Sequence, residues 1–176
     1  MAAAAVRAGL FGKMPRHGDF VRRGLPPGFV AAWDLWISAG LVAAQSALGE
    51  AWAATWGTAP AWRFHLAAGT CGPQAAAGIW RASSDQVGRD FPLTLAAILP
   101  PGAGTPGADW FAALEAAADA ACDGALDADA LAACLPAASP TPGPPPAAPG
   151  WFWRDRAAPR PMPAPGGFRD LLEDRP

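Results

Sequence analysis

The densest group of reactive side chains sits in one short run: Lys13, Arg16, His17, Asp19, Arg22 and Arg23, interleaved with Gly12, Pro15 and Gly18. Cationic heads around glycines are the material of an anion site, because backbone amides and positive charge can converge on phosphate oxygens. The spacing, however, is neither G-x-x-x-x-G-K-[ST] nor G-x-G-x-x-G, and no predicted helix starts at these glycines to aim its dipole at a ligand. The alternative is architectural. The glycines permit tight turns while Asp19 accepts hydrogen bonds from loop amides or from an arginine, so that a rigid loop ending in Phe20 is presented to a partner.

A second polar run is Ser83, Ser84, Asp85, Gln86, Val87, Gly88, Arg89 and Asp90. Serine and aspartate initiate turns by bonding to the backbone ahead of them, and Gly88 allows a positive φ. Arg89 stands between Asp85 and Asp90, and it pairs with Asp19 if the two loops meet. Serines, histidines and aspartates for a hydrolase exist, yet no G-x-S-x-G surrounds Ser83 or Ser84, and neither His17 nor His65 carries the signature of a general base. His65 and Cys71 do not make a metal-ligand pattern, and the acidic stretches 123–129 and 170–174 lack calcium-loop spacing, so no metal or cofactor is expected. Cys71, Cys122 and Cys134 are an odd set without C-x-x-C and read as reduced thiols.

The residues favoured for protein contact are therefore Lys13, Arg16, His17, Asp19, Phe20, Arg22, Ser84, Asp85 and Arg89. The competing reading is a small hydrolytic enzyme or phosphate-ligand binder built on Lys13, His17, Asp19 and Arg89.

These loops need elements to hold them. A first strand runs from Ala5 to Phe11 and a second from Phe20 to Arg23, forming a hairpin-like opening. Pro26-Pro27 then introduces a helix from near Gly28, with Phe29, Trp33, Trp36, Ile37, Gly40, Leu41, Ala44 and Leu48 at three- and four-residue intervals. Gly49 stops it, and Glu50 to Trp56 adds a further turn or two. Strands follow at 62–68, 78–82 and 91–99 as a meander. Within the first of these, Trp62, Phe64 and Leu66 alternate with Arg63 and His65, the pattern of a half-buried strand. A second helix opens at Gly107 or Asp109 and runs towards Cys122, and a third is capped by Asp127 and extends to Leu135. Trp151-Phe152-Trp153 reads as a returning strand, with Phe168, Leu171 and Leu172 clamping a last short helix.

The expected fold is α+β: one antiparallel sheet of five or six strands packed with helices, in a longin-like or profilin-like order. Residues 1–135 form its core, 136–150 a proline-rich connector and 151–176 an aromatic segment returning to the core. The connector is solvated and extended, reaching about 45 Å at about 3.1 Å per residue.

Composition narrows the function classes. Hydrophobic residues make up 52% of the 176, enough to bury a core, so the disorder of a polar, highly charged chain is excluded. A net charge of −2 with Lys13 as the sole lysine gives no global attraction to nucleic acid. No uninterrupted apolar run, the longest being Leu93 to Leu99, reaches the roughly 18 residues that span a bilayer, and the start lacks a leader pattern, so the expectation is a cytoplasmic chain without a transmembrane segment. Charged residues are only 16%, against about 25% in ordinary domains, while nine tryptophans accompany no tyrosine. Tryptophan fills the core, or part of the surface docks a protein through it, and the two readings are compatible.

Gly9-Leu-Phe-Gly-Lys-Met-Pro-Arg-His-Gly-Asp-Phe-Val-Arg-Arg-Gly-Leu-Pro, followed by Phe29-Val30 and Trp33-Asp34, resembles the opening of the type VI secretion-associated TagF (ImpM) family. Pro60-Ala-Trp-Arg-Phe and Ser84-Asp-Gln-Val-Gly-Arg-Asp-Phe-Pro-Leu-Thr are similar to its middle motifs, and Trp151-Phe-Trp with Phe168 to a shortened form of its aromatic tail. The resemblance implies a non-enzymatic cytoplasmic accessory protein. It would repress the assembly or firing of the secretion apparatus after translation, by binding the forkhead-associated scaffold protein among the apparatus components.

Overall fold

The structure is a computed structural model that describes residues 4–174; residues 1–3 and 175–176, the outer ends of the first and last expected segments, lie outside it. The elements, in chain order, are β1 (Ala8–Gly12), β2 (Val21–Arg23), α1 (Pro27–Leu48), α2 (Trp52–Gly57), β3 (Trp62–Leu66), β4 (Ala76–Arg81), β5 (Leu93–Ile98), α3 (Ala108–Cys122), α4 (Ala128–Cys134), β6 (Gly150–Trp153), β7 (Arg160–Pro161) and α5 (Phe168–Leu172). The strands form one seven-stranded antiparallel sheet in the order β2-β1-β5-β4-β3-β6-β7. The expected α+β class holds. The strand beyond the expected six is β7, two residues including a proline, which pair Trp151 with Pro161 and Phe152 with Arg160 at the sheet edge.

Strand alternation sends side chains to two separate cores. Trp62, Phe64, Leu66 and Trp80 join Trp33, Ile37 and Leu41 of α1 with Phe168 and Leu171 of α5 on one face. Leu10, Ile79, Leu93 and Leu95 meet Phe111 and Leu114 of α3 with Leu131 of α4 on the other. The sheet is thus sandwiched between helices. This corrects the half-buried reading of β3: every residue of Trp62–Leu66 is buried, Arg63 and His65 included. Alanine-rich α3 closes over the face that looked polar, and Arg63 is tolerated there because Glu115 accepts from its Nε and Nη2, both at 2.8 Å, and Asp155 from Nη1 at 3.1 Å.

The continuous helical stretch Pro27–Gly57 is long and apolar enough to cross a membrane by length and composition, which the uninterrupted-run count missed. In this fold its inner face, from Phe29 through Trp33 to Leu48, packs on the sheet.

None of the nine tryptophans is exposed; five are buried, and Trp36, Trp52, Trp151 and Trp153 are half-buried. Six of them donate their indole N–H to distant groups and thereby staple loops and tail to the core. Trp36 reaches Pro163 O at 2.9 Å and Trp62 reaches Leu171 O at 2.8 Å, so the tail is held by main-chain bonds as well as by Phe168. In the 136–150 segment, Ala138 bridges Val6 and Pro142 bridges Ala103, and Ala138 and Pro140 are buried.

Candidate functional site

The loop after β1 and the loop before β5 emerge side by side because β1 and β5 are sheet neighbours, with Phe11 opposite Thr94. Gly12 makes the departure possible: it takes φ +138°, and a Cβ there would lie 2.0 Å from Pro92 O. The loops are joined along their length. Ser83 Oγ donates to Lys13 O at 2.9 Å, the Gln86 amide donates to His17 O at 2.8 Å, and Arg89 Nη2 donates to Gly18 O at 2.6 Å.

Asp85 is the hub. Its side chain is fully buried, and its carboxylate accepts from the Val87 and Arg89 amides at 3.0 Å each and from Arg89 Nε at 2.7 Å, with Lys13 Nζ at 3.4 Å. Burial alone would raise its pKa, but the Arg89 amide, the Arg89 guanidinium and the Val87 amide outweigh that and hold it at about 2. Lys13 Nζ also sits 5.0 Å above the Phe20 ring, which in turn packs against Phe91 and Phe11 with centroids 4.8 and 5.8 Å away. Ser84 Oγ donates to Asp90 Oδ1 and Trp52 Nε1 to Asp90 Oδ2, both at 2.8 Å, which ties the second loop to α2.

Arg89 therefore does bridge the loops, but through the Gly18 carbonyl and not through Asp19 as the pairing of opposite charges suggested. Asp19 turns to its neighbour and accepts from the Phe20 amide at 2.7 Å. His17 Nε2 accepts from the amide of Ala128, the first residue of α4, at 3.0 Å, a contact that no sequence pattern announces. The Asp127 carboxyl caps the same helix and is held below its ordinary value, first by the Ala130 amide, with Arg16 adding to the effect. Lys13 and Arg89 thus share Asp85, with Arg89 reaching on to the Gly18 carbonyl, whereas His17 faces the Ala128 amide and Asp19 the Phe20 amide, so the four do not converge on one point.

What is left outward is a small mixed surface. Phe20 and Val87 are two of the four large hydrophobics exposed among the described residues, at 47% and 71%. Arg16 and Arg22 are exposed on the first loop and on β2. Sequence reasoning named Phe20 but passed over Val87, whose only signal was an apolar residue at the tip of a polar turn.

The fold and the site together define a helix-flanked antiparallel domain that presents two cross-linked loops. The model of the TagF N-terminal domain family, type VI secretion system-associated, matches residues 9–138, and the chain belongs to that family. Among solved structures, PA0076 from Pseudomonas aeruginosa PAO1 is similar, with 29% identity and a TM-score of 0.81 over 94% of this chain and 93% of that one. No curated protein matches significantly.

Proposed function

We propose that the chain is a regulatory binding module of the type VI secretion system. It catalyses nothing itself, acts in the cytoplasm after translation, and represses assembly or firing of the apparatus by docking on the forkhead-associated scaffold protein. Family membership supplies the system. The docking reading is carried by the loop platform, in which buried Asp85 locks two loops into one preformed surface bearing Phe20, Val87, Arg16 and Arg22. Such preorganisation lowers the ordering cost of association, and aromatic and arginine side chains are the residues that most often dominate interface energies.

The test is a pull-down and a binding titration with purified scaffold protein, comparing wild type with Arg16→Glu and Val87→Glu. Both side chains point to solvent and neither holds the loops together. Loss of binding with an unchanged melting temperature supports the reading, whereas undiminished binding by both variants removes the platform from the interface.

A further inference from the structure

On the α3 side of the sheet a cavity of about 550 Å³, lined by none of the loop-platform residues, opens between α3, β6 and the proline-rich connector. That volume falls within the roughly 300–1,000 Å³ typical of small-molecule sites. Its walls are aromatic: Phe111 from α3 and Trp151 and Trp153 from β6, with Trp153 set edge-on to Phe111 at 5.1 Å. Pro144 and Pro146 of the connector complete the rim.

Arg63 and His65 of β3, with Thr105, contribute the polar part of the lining. Arg63 is already matched by Glu115 and Asp155, so an anion gains little there and a cation meets the guanidinium. His65 is 1% exposed; its Nδ1 lies 2.8 Å from Thr105 Oγ1, but Nε2 has no hydrogen-bond partner among the described residues. Buried polar atoms left in this condition are rare and point to a missing water, ion or ligand. Burial lowers the His65 pKa, which keeps the imidazole neutral.

We propose that this cavity binds an uncharged, flat aromatic molecule with one hydrogen-bonding group, its ring against Trp151, Trp153 and Phe111 and its polar group completing the bonding of His65 Nε2. Selection of such a ligand follows from an apolar lining with a single unmet polar atom. The proposal does not rest on scaffold docking.

The experiment titrates the full chain with 2-naphthol, naphthalene and 2-naphthoate, followed by NMR shifts of the Thr105 and Ala108 amides and the Trp153 indole. Ala108 is exposed at the first position of α3 and lines the cavity, so Ala108→Trp fills the space without touching the core. The expected result is saturable binding of 2-naphthol, about tenfold tighter than either analogue, as one added hydrogen bond allows. Ala108→Trp abolishes it, and His65→Leu reduces 2-naphthol to the affinity of naphthalene. Absence of saturable 2-naphthol binding at millimolar concentration, binding that survives Ala108→Trp, or a hydroxyl preference retained in folded His65→Leu would each overturn the proposal.

Discussion

Removing the Phe168 ring tests whether the tail is part of the core or an appendage. Phe168 is fully buried, stacked on Trp80 with centroids 5.4 Å apart and edge-on to Trp36 at 5.2 Å. Phe→Ala at such sites costs about 3–5 kcal/mol, and the two aromatic contacts place this one near the upper end, about 4–5 kcal/mol. For a chain of this size that lowers the melting temperature by about 8–20 °C. Gly40 of α1 supplies an internal control, because a Cβ there would lie 2.4 Å from Phe168 Cδ2. In the wild type, Gly40→Ala gains up to about 1 kcal/mol of helix propensity but forces the ring away, a net loss of about 1–2 kcal/mol. In the Phe168→Ala background the contacts with Cδ2 and Cγ are gone, but the Cβ that alanine keeps would still lie 2.9 Å from the new methyl, so the same substitution costs about 1 kcal/mol less than in the wild type without becoming free of strain. Urea denaturation of the four proteins measures the coupling directly. A Gly40→Ala effect that agrees in both backgrounds to within about 0.5 kcal/mol contradicts the packing described here.

Three further outcomes follow from the loops and from β3. Arg89→Ala removes the bonds to Asp85 and to Gly18 O, so the Gln86 amide, which bonds across to His17 O, exchanges roughly tenfold faster with solvent, whereas unchanged protection means that other contacts hold the loops. Because the folded Asp85 carboxyl titrates at about 2 and its ordinary value is 3.8, its contribution to stability is complete above the ordinary value and is lost as pH falls through the folded one; Asp85→Asn flattens that limb of a stability-versus-pH curve, and a variant with the wild-type slope refutes the hub role. The His65 pKa is also depressed, from 6.5, but by burial, so the unfolded chain takes up a proton that the folded chain resists and stability declines as pH drops below 6.5; His65→Leu loses that decline, and persistence of the wild-type profile places the titration elsewhere.

Periodicity carried α1 almost to the residue, since Phe29, Trp33, Ile37, Leu41 and Ala44 have no other reason to recur at helical spacing and all are buried on the sheet. Asp127 declared its helix through local cap chemistry and does accept from the Ala130 amide at 2.8 Å. Burial of both sheet faces was beyond reach of the sequence because the cover is assembled from afar. The carboxylates that make a buried Arg63 acceptable are Glu115 and Asp155, 52 and 92 residues away. The two loops were recognised as neighbours in kind, but their junction runs through main-chain carbonyls of Lys13, His17 and Gly18, and a carbonyl is the same at every residue. Charge logic offered Asp19 to Arg89 across the loops, whereas the carboxylate that Arg89 meets is Asp85 of its own loop and the bridge between the loops ends on Gly18 O. The cavity was hidden for a related reason: a connector written in proline reads as solvated chain, yet Pro144 and Pro146 line a wall.

In the proposed role, the locked pair of loops is the contact surface of a type VI secretion regulator. The most direct measurement is the affinity of purified forkhead-associated scaffold protein for wild type and for the doubly substituted Arg16→Glu, Val87→Glu chain, read by calorimetry beside thermal melts of both. The expected result is affinity weakened by about a hundredfold or more, from two side chains lost at a preformed surface, with no change in melting temperature. Equal affinities for the two proteins would contradict it.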